Sequence, residues 1–236
     1  MFYLIGLGMN ERSISLEALE ILKDAYKVYL ENYTVDFPYS KEELEKKIGR
    51  GILDADREFV ESEEVLKEAG KKDAVLLVYG SPLAATTHIS LIETCRKKKI
   101  KYQILHNASI FDVVSESGLQ AYSFGKTASI PEWKENYQPK SFVDVIRKNQ
   151  IIKAHTLLLV DIGLSLNKAL EELKIASEER KLELDKIIIC SAMGNKKQRV
   201  YYGRNKEFIN KKVGLPFCII IPGKLNFAEE EALKSI

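Results

Sequence analysis

Cysteine is scarce in this sequence, and long apolar runs are absent. The three cysteines, Cys95, Cys190 and Cys218, are odd in number and far apart, and no CxxC pair exists. We therefore expect no disulfide framework, no zinc site or other metal, and a reduced setting. No apolar run approaches the roughly 20 residues of a membrane span. Because the apolar segment 1–8 is too short for a signal peptide, we expect a soluble, cytoplasmic protein without a membrane partner.

An excess of charge of one sign is also missing. Lysine and arginine number 36 against 34 aspartates and glutamates, so the formal net charge is only +2. This balance gives no reason to expect a nucleic-acid partner. One local excess, at residues 96–101, is more typical of a helix end, where cations complement the helix dipole, than of a phosphate-binding patch.

Short β-like runs alternate with helical patterns along the whole chain. This alternation indicates an α/β fold, and the continuous apolar run at 74–79 suits a strand buried on both faces of a largely parallel sheet. Ser40 and Glu43 have the spacing of a capping box for a helix that ends near Ile48. We place the two lobes at residues 1–107 and 108–236. Further strands are predicted at 2–5, 28–30, 102–105, 156–160, 187–190 and 218–221, and helices at 13–25, 87–99 and 166–184.

Three polar or glycine-containing segments directly follow predicted strands, where α/β proteins usually bind ligands. The first, Gly6-Leu7-Gly8, lacks the third glycine of the dinucleotide fingerprint, although Glu31 follows at a loosely suitable distance. It is either a tight turn or a place where a ligand approaches the backbone. The second is the loop at 80–88, which predicts a ligand loop or, alternatively, a helix N-cap. The third is the segment 106–110.

Other catalytic patterns are incomplete. Gly125-Lys126-Thr127 lacks the upstream glycine of a P-loop and the strand that precedes it. No Ser–His–Asp order and no HExxH motif occurs, so hydrolase and metalloenzyme functions lack support.

Taken in order, these segments resemble the diphthine synthase family, which belongs to the tetrapyrrole-methylase class of methyltransferases. Each segment is a weak signal alone, but the ordered set covers nearly the whole chain and is specific. The matching segments are residues 3–8, 28–34, 55–58, 80–88, 106–110, 118–120, 124–127, 139–147, 155–162 and 221–225.

The resemblance implies a two-lobed α/β homodimer that holds the cofactor S-adenosylmethionine in a cleft between the lobes and releases S-adenosylhomocysteine. Its protein substrate would be translation elongation factor 2, methylated on the aminocarboxypropyl-histidine during diphthamide biosynthesis. The family usually has aspartate where Ser81 stands and often histidine where Phe217 stands, which implies weaker donor binding here. The implied cofactor contacts are Met9, Ser81, Ala84, Ser109, Ile110, Val160, Met193 and Phe217.

Two alternatives stay open at the level of sequence. One is a methyltransferase of the same architecture that acts on a precorrin-type tetrapyrrole, although no basic cleft for a large anionic macrocycle is evident. The other is a non-catalytic member that binds only donor or elongation factor. No catalytic base is assigned, because four side chains are eligible and no motif singles one out: His88, His106, His155 and Tyr122.

Overall fold

The computed structural model describes residues 1–236, which form two compact units, Met1–Val113 and Val114–Ile236. The sequence prediction placed the division six residues earlier, after Asn107. Residues beyond that point belong to the first unit because Ala108 and Val113 pack against its core. Both units are mixed α/β. No helix is long and apolar enough to cross a membrane.

The first unit is built on a five-stranded parallel sheet of order β3-β2-β4-β1-β5. The central strand β4 is buried along its full length, as the apolar run predicted, and one apolar cluster covers each face of the sheet. Its elements are β1 (Phe2–Gly6), α1 (Leu16–Asp24), β2 (Lys27–Glu31), α2 (Lys41–Ile48), β3 (Leu53–Ala55), α3 (Arg57–Glu61), β4 (Ala74–Val78), α4 (Ile89–Lys97), β5 (Tyr102–Leu105) and α5 (Ile110–Val113).

Side-chain caps set where α1 and α2 begin. The predicted capping box is confirmed: the Ser40 hydroxyl accepts the Glu43 N–H, and the Glu43 carboxylate accepts the Ser40 N–H. Helix α1 begins later than predicted, at Leu16, because the Ser15 hydroxyl caps it by accepting the Ala18 N–H. Local hydrogen bonding therefore decides these boundaries more sharply than apolar spacing does.

The second unit contains a mixed sheet of order β6-β7-β10-β8-β9. Only β6 and β7 are parallel, and the other three neighbouring pairs are antiparallel. The sequence analysis missed β6 and β9, as well as the helices α6 and α8. The elements are β6 (Ala128–Ile130), α6 (Ser141–Ile151), β7 (Thr156–Val160), α7 (Leu166–Glu179), β8 (Lys186–Ser191), β9 (Arg199–Arg204), β10 (Phe217–Ile221) and α8 (Phe227–Lys234).

A buried polar cluster anchors α8 to the second sheet. The Glu229 carboxylate is 1% exposed and accepts the backbone N–H groups of Gln120 and Asn226, each at 3.0 Å. It lies 3.1 Å from Nε2 of His155, whose Nδ1 accepts the Gly223 N–H at 2.8 Å. Because Nδ1 accepts, the imidazole is neutral and its Nε2–H donates to Glu229. Burial raises the pKa of Glu229, but these hydrogen bonds outweigh burial and lower it.

Candidate functional site

The strongest candidate site lies at the carboxyl edge of the parallel sheet in the first unit. Strand β1 connects through α1 to β2 on one side, whereas its neighbour β4 connects through α4 to β5 on the other. The chain therefore changes direction between two adjacent strands, which is where open α/β sheets form ligand crevices. The loops after β1, β4 and β5 carry five of the predicted cofactor contacts: Met9, Ser81, Ala84, Ser109 and Ile110.

A pair of glycines joins two of these loops. The Gly8 N–H donates to the Gly80 carbonyl at 3.1 Å, and the Gly80 N–H donates to the Gly8 carbonyl at 3.0 Å. Both residues have φ of +70°, which favours glycine. A methyl group on Gly6 would lie 2.6 Å from the Gly80 carbonyl oxygen. The two-glycine segment is therefore more than a tight turn, because it lets the β1 and β4 loops approach at backbone distance.

Asn107 ties the third loop to the same place. Its side-chain Nδ2 donates to the carbonyls of Gly6 at 3.1 Å and Ser13 at 2.9 Å, and its Oδ1 accepts the Ala108 N–H at 2.8 Å. These bonds hold the end of β5 against the end of β1. The sequence analysis singled out the segment but missed this role, although an amide directly after an apolar strand is a recognisable signal.

The main-chain carbonyl of Met9 is held by an aromatic side chain. The buried Tyr79 hydroxyl donates to the Met9 carbonyl at 3.1 Å, and burial raises the pKa of this phenol. Tyr79 packs edge-on against Phe37, which in turn packs against Tyr39. The main chain at Met9 is therefore held in one position before any ligand arrives.

Ser81 and Ala84 lie in the loop after β4, and both are partly exposed. The Ser81 hydroxyl makes no hydrogen bond to the rest of the chain, so it is available to a ligand. The loop itself is fixed at Pro82, whose carbonyl accepts the Thr86 hydroxyl at 2.8 Å. The alternative that a threonine caps the next helix is wrong, because His88 precedes α4 and no side chain caps that helix.

His88 is only 1% exposed and forms a hydrogen bond to this loop. Its Nδ1–H donates to the Pro82 carbonyl at 3.2 Å, so Nε2 accepts from the Tyr33 hydroxyl at 3.3 Å. Burial lowers the pKa of His88, while Glu31 and the Pro82 carbonyl partly oppose that shift. The neutral ring is therefore a packed residue, and both of its nitrogens are engaged.

Two other polar residues near this edge are committed to internal bonds. Glu31 is fully buried and accepts from the Tyr33 N–H, the Thr34 N–H and the Thr34 hydroxyl. Its carboxylate is therefore committed to the turn that follows β2. Ser109 donates from its hydroxyl and its N–H to Asp112, at 2.9 and 2.7 Å.

The remaining three predicted contacts share one edge of the second sheet. Val160 ends β7 and lies opposite Phe217, the first residue of β10, because Leu159 pairs with Cys218. Phe217 pairs on its other side with Ser191 at the end of β8, and Met193 follows two residues later. The strand register thus brings together residues that are far apart in the sequence.

The four side chains that could act as a general base differ in whether they already make internal hydrogen bonds. Both ring nitrogens of His88 and of His155 are engaged in internal hydrogen bonds, which leaves neither free to take a proton from a substrate. His106, directly after β5, and Tyr122, at 82% exposure, both face solvent.

The basic residues at 96–101 form the end of a helix, as predicted. Helix α4 ends at Lys97, Lys98 forms an ion pair with Glu63 at 2.8 Å, and the Arg96 guanidinium donates to the Tyr102 hydroxyl at 2.9 Å. Because β5 begins at Tyr102, this cluster lies at the amino edge of the sheet, away from the candidate site.

Comparison with known proteins shows the family to which the chain belongs. The family Tetrapyrrole (Corrin/Porphyrin) Methylases matches residues 1–209. A diphthine methyl ester synthase from Schizosaccharomyces pombe is 35% identical over 94% of this chain and 88% of its own length. A diphthine synthase from Methanocaldococcus jannaschii is 38% identical over 99% of this chain and 98% of its own length. The crystal structure of a candidate diphthine synthase from Entamoeba histolytica superposes on this chain with a TM-score of 0.90, at 30% sequence identity. The superposition covers 100% of this chain and 97% of the Entamoeba chain. This protein therefore belongs to the diphthine synthases, a group of methyltransferases within the tetrapyrrole methylase family.

Proposed function

We propose that this protein is a diphthine synthase, which transfers methyl groups from S-adenosylmethionine to the amino group of the aminocarboxypropyl-histidine of elongation factor 2. The observation that carries the proposal is the similarity to diphthine synthases over 99% of the chain. The hydrogen bonds that hold the loops together at the carboxyl edge of the first sheet support it. This function lies within diphthamide biosynthesis.

The residues of the first unit fit a donor of this kind. S-adenosylmethionine carries hydroxyl, amino and carboxylate groups but no phosphate, so it needs no full phosphate-binding glycine loop. The paired glycines at 8 and 80 carry no side chain and so leave room beside the main chain, Tyr79 fixes the Met9 carbonyl, and Ser81 offers a free hydroxyl. Because the Ser109 hydroxyl and N–H both donate to Asp112, Ser109 would contact the donor by packing and not through either of these groups.

When bound, S-adenosylmethionine supplies an electrophilic methyl group on a sulfonium. The chain contributes mainly by holding the donor and the acceptor amine in line and by excluding water around them. The amine must lose a proton before it can attack. Since His88 and His155 are engaged, the proton goes to His106, to Tyr122 or directly to solvent.

Two products are possible for this chain, and they differ in the number of methyl groups added to the substrate. The chain is similar both to a diphthine synthase and to a diphthine methyl ester synthase, at 38% and 35% identity. Three methyl groups on the amine would give a trimethylammonium product, and a fourth, removed by mild base, would be a methyl ester on the neighbouring carboxylate.

Mass spectrometry of elongation factor 2 tests the function. The factor should carry the unmethylated aminocarboxypropyl group, and a matched control should have the same histidine replaced by alanine. We expect methyl increments on the first protein alone. Methylation of a precorrin-type tetrapyrrole instead would assign the chain to that branch. Donor binding in calorimetry without any transfer would identify a non-catalytic member.

Assembly and location complete the proposal. We expect a homodimer in the cytoplasm, with no nucleic-acid or membrane partner, as the family resemblance and the nearly balanced charge suggest. Sedimentation at micromolar concentration tests assembly, because a stable species of 26.8 kDa would be a monomer.

A further inference from the structure

The loop that joins β8 and β9 is a defined hairpin turn rather than a loose connection. The pairing of Ser191 with Arg199 closes it. Inside the loop, the Asn195 N–H donates to the Ala192 carbonyl at 3.0 Å, and the Gln198 N–H donates to the Asn195 carbonyl at 2.9 Å. The Gly194 N–H donates to the Gln198 side-chain oxygen at 2.9 Å. These bonds fix the backbone of the hairpin.

The two sides of this hairpin differ in character. Met193, a predicted cofactor contact, is 2% exposed and points inward. Lys196, Lys197 and Arg199 are all exposed. A single turn of chain therefore joins the predicted donor edge of the second unit to a cationic surface, whose residues lie three to six positions after Met193.

Positive charge continues through the following segment. Residues 195–212 contain seven lysines and arginines and one glutamate. Of these cations only Arg204 forms an ion pair, with Asp185 at 3.8 Å. The Ser191 hydroxyl donates to the Gly214 carbonyl at 2.8 Å, which returns the end of this segment to the base of the hairpin. The positive charge is therefore concentrated and largely uncompensated.

The remainder of the chain is net negative, because the whole protein carries only +2. This distribution favours a compact acidic surface as the partner. A folded protein presents its acidic residues locally, which matches the small size of the basic patch, whereas a long polyanion such as RNA would extend beyond it.

We propose that the basic hairpin, residues 192–199, is the docking site for an acidic surface of the protein substrate. The inference rests on the proposed function and deepens it, because it places recognition of the substrate protein beside the predicted donor edge. Exposed charges of this kind accelerate encounter and orient the partner without taking part in chemistry. They should act on kcat/KM at low salt and leave kcat unchanged.

A pair of matched charge reversals tests this assignment. The test variant is Lys196→Glu with Lys197→Glu, and the control is Lys97→Glu with Lys99→Glu, which makes the same change in net charge at the end of α4. We expect the test variant to lose about tenfold in kcat/KM toward elongation factor 2 at low salt. The loss should shrink as salt is raised, because exposed charges are screened over about 8 Å at physiological ionic strength. The control should stay near the wild-type rate.

Further measurements separate the outcomes. Thermal melting and calorimetric donor binding should match the wild type, and Lys196→Gln with Lys197→Gln should give an intermediate loss. Equal losses in test and control variants would show a net-charge effect and overturn the proposal. So would a fall in kcat or in donor affinity, or wild-type binding of a short RNA that the test variant loses.

The proposed function and the docking inference fail in different ways. If the wild type transfers no methyl group to elongation factor 2, the proposed function fails. Direct binding of the factor to wild type and variants, followed by sedimentation, then still tests the hairpin. Transfer by the wild type with an unimpaired test variant would overturn the docking inference alone.

Discussion

The two edges that carry the predicted donor contacts are built in different ways. In the first unit, main-chain turns at glycines 6, 8 and 80 and the Asn107 amide join loops after parallel strands. In the second unit, the antiparallel register alone places Val160 opposite Phe217. Glycine and asparagine are visible in a sequence, whereas register is not. The first edge should therefore be sensitive to local substitution, and the second to changes in the scaffold that holds the sheet.

The largest effect should come from the scaffold of the second unit. Glu229→Ala removes the acceptor of Gln120, Asn226 and His155, and we expect it to cost about 3 kcal/mol of unfolding free energy. Urea unfolding followed by fluorescence of the single tryptophan, Trp133, reports on this unit. Glu230→Ala, an exposed neighbour, is the matched control.

This contribution should depend on pH. Burial raises the pKa of Glu229, but the hydrogen bonds lower it below the ordinary value of 4.5 in the folded state. The stabilisation is therefore fully present above that value and is lost as pH falls through the folded-state pKa. The difference between wild type and Glu229→Ala should shrink in acid below about pH 4.5. A difference that grows in acid would contradict the described network.

An intermediate effect is expected at the first edge. In Gly6→Ala the new methyl group would meet the Gly80 carbonyl at 2.6 Å and the Pro82 ring at 2.9 Å, so the β1 and β4 loops must separate. We expect a loss of about 2 kcal/mol in stability together with weaker donor binding. Gly51→Ala is the control, because nothing lies within 4 Å of its added methyl group. Equal donor affinity in Gly6→Ala and wild type would show that this edge does not bind the donor.

The smallest effect concerns a side chain rather than the backbone. Ser81→Asp restores the residue that the family resemblance implies, and a charge-assisted hydrogen bond should tighten donor binding by about 1 kcal/mol. Calorimetry with S-adenosylhomocysteine measures the change. Thr87→Asp adds the same charge to an exposed position of the same loop and should have no effect. Weaker binding in Ser81→Asp would mean that the edge is adapted to the smaller residue.

The sequence predicted the first unit better than the second, for physical reasons. Apolar runs that end in glycine or polar residues mark the strands and loops of a parallel sheet, and β5 has the predicted bounds. Strand direction in the second sheet depends on pairing between distant segments, which no local pattern contains. Strand β9 was missed because an edge strand with arginines at both ends lacks the apolar alternation of a strand.

The candidate site was predicted only in part. The three loops were identified because short polar groups follow buried strands, and the structure brings them together at one edge. The Tyr79 and His88 contacts beneath those loops could not be predicted, since they join residues whose proximity depends on tertiary packing. The eight cofactor contacts remain predictions for the calorimetric experiments to test.

The bridge between Gly8 and Gly80 has a consequence for the order in which the protein is made. Strand β1 precedes the other strands of the first sheet along the chain, yet both of its partners, β4 and β5, follow more than 70 residues later. Until residue 80 has been synthesised, β1 has no neighbour and its glycine turn has nothing to bond. Contacts of such long sequence separation form late in folding. The predicted donor edge can therefore be completed only after β4 has been synthesised, and a nascent chain that stops before β4 contains its first loop without the partner that holds it.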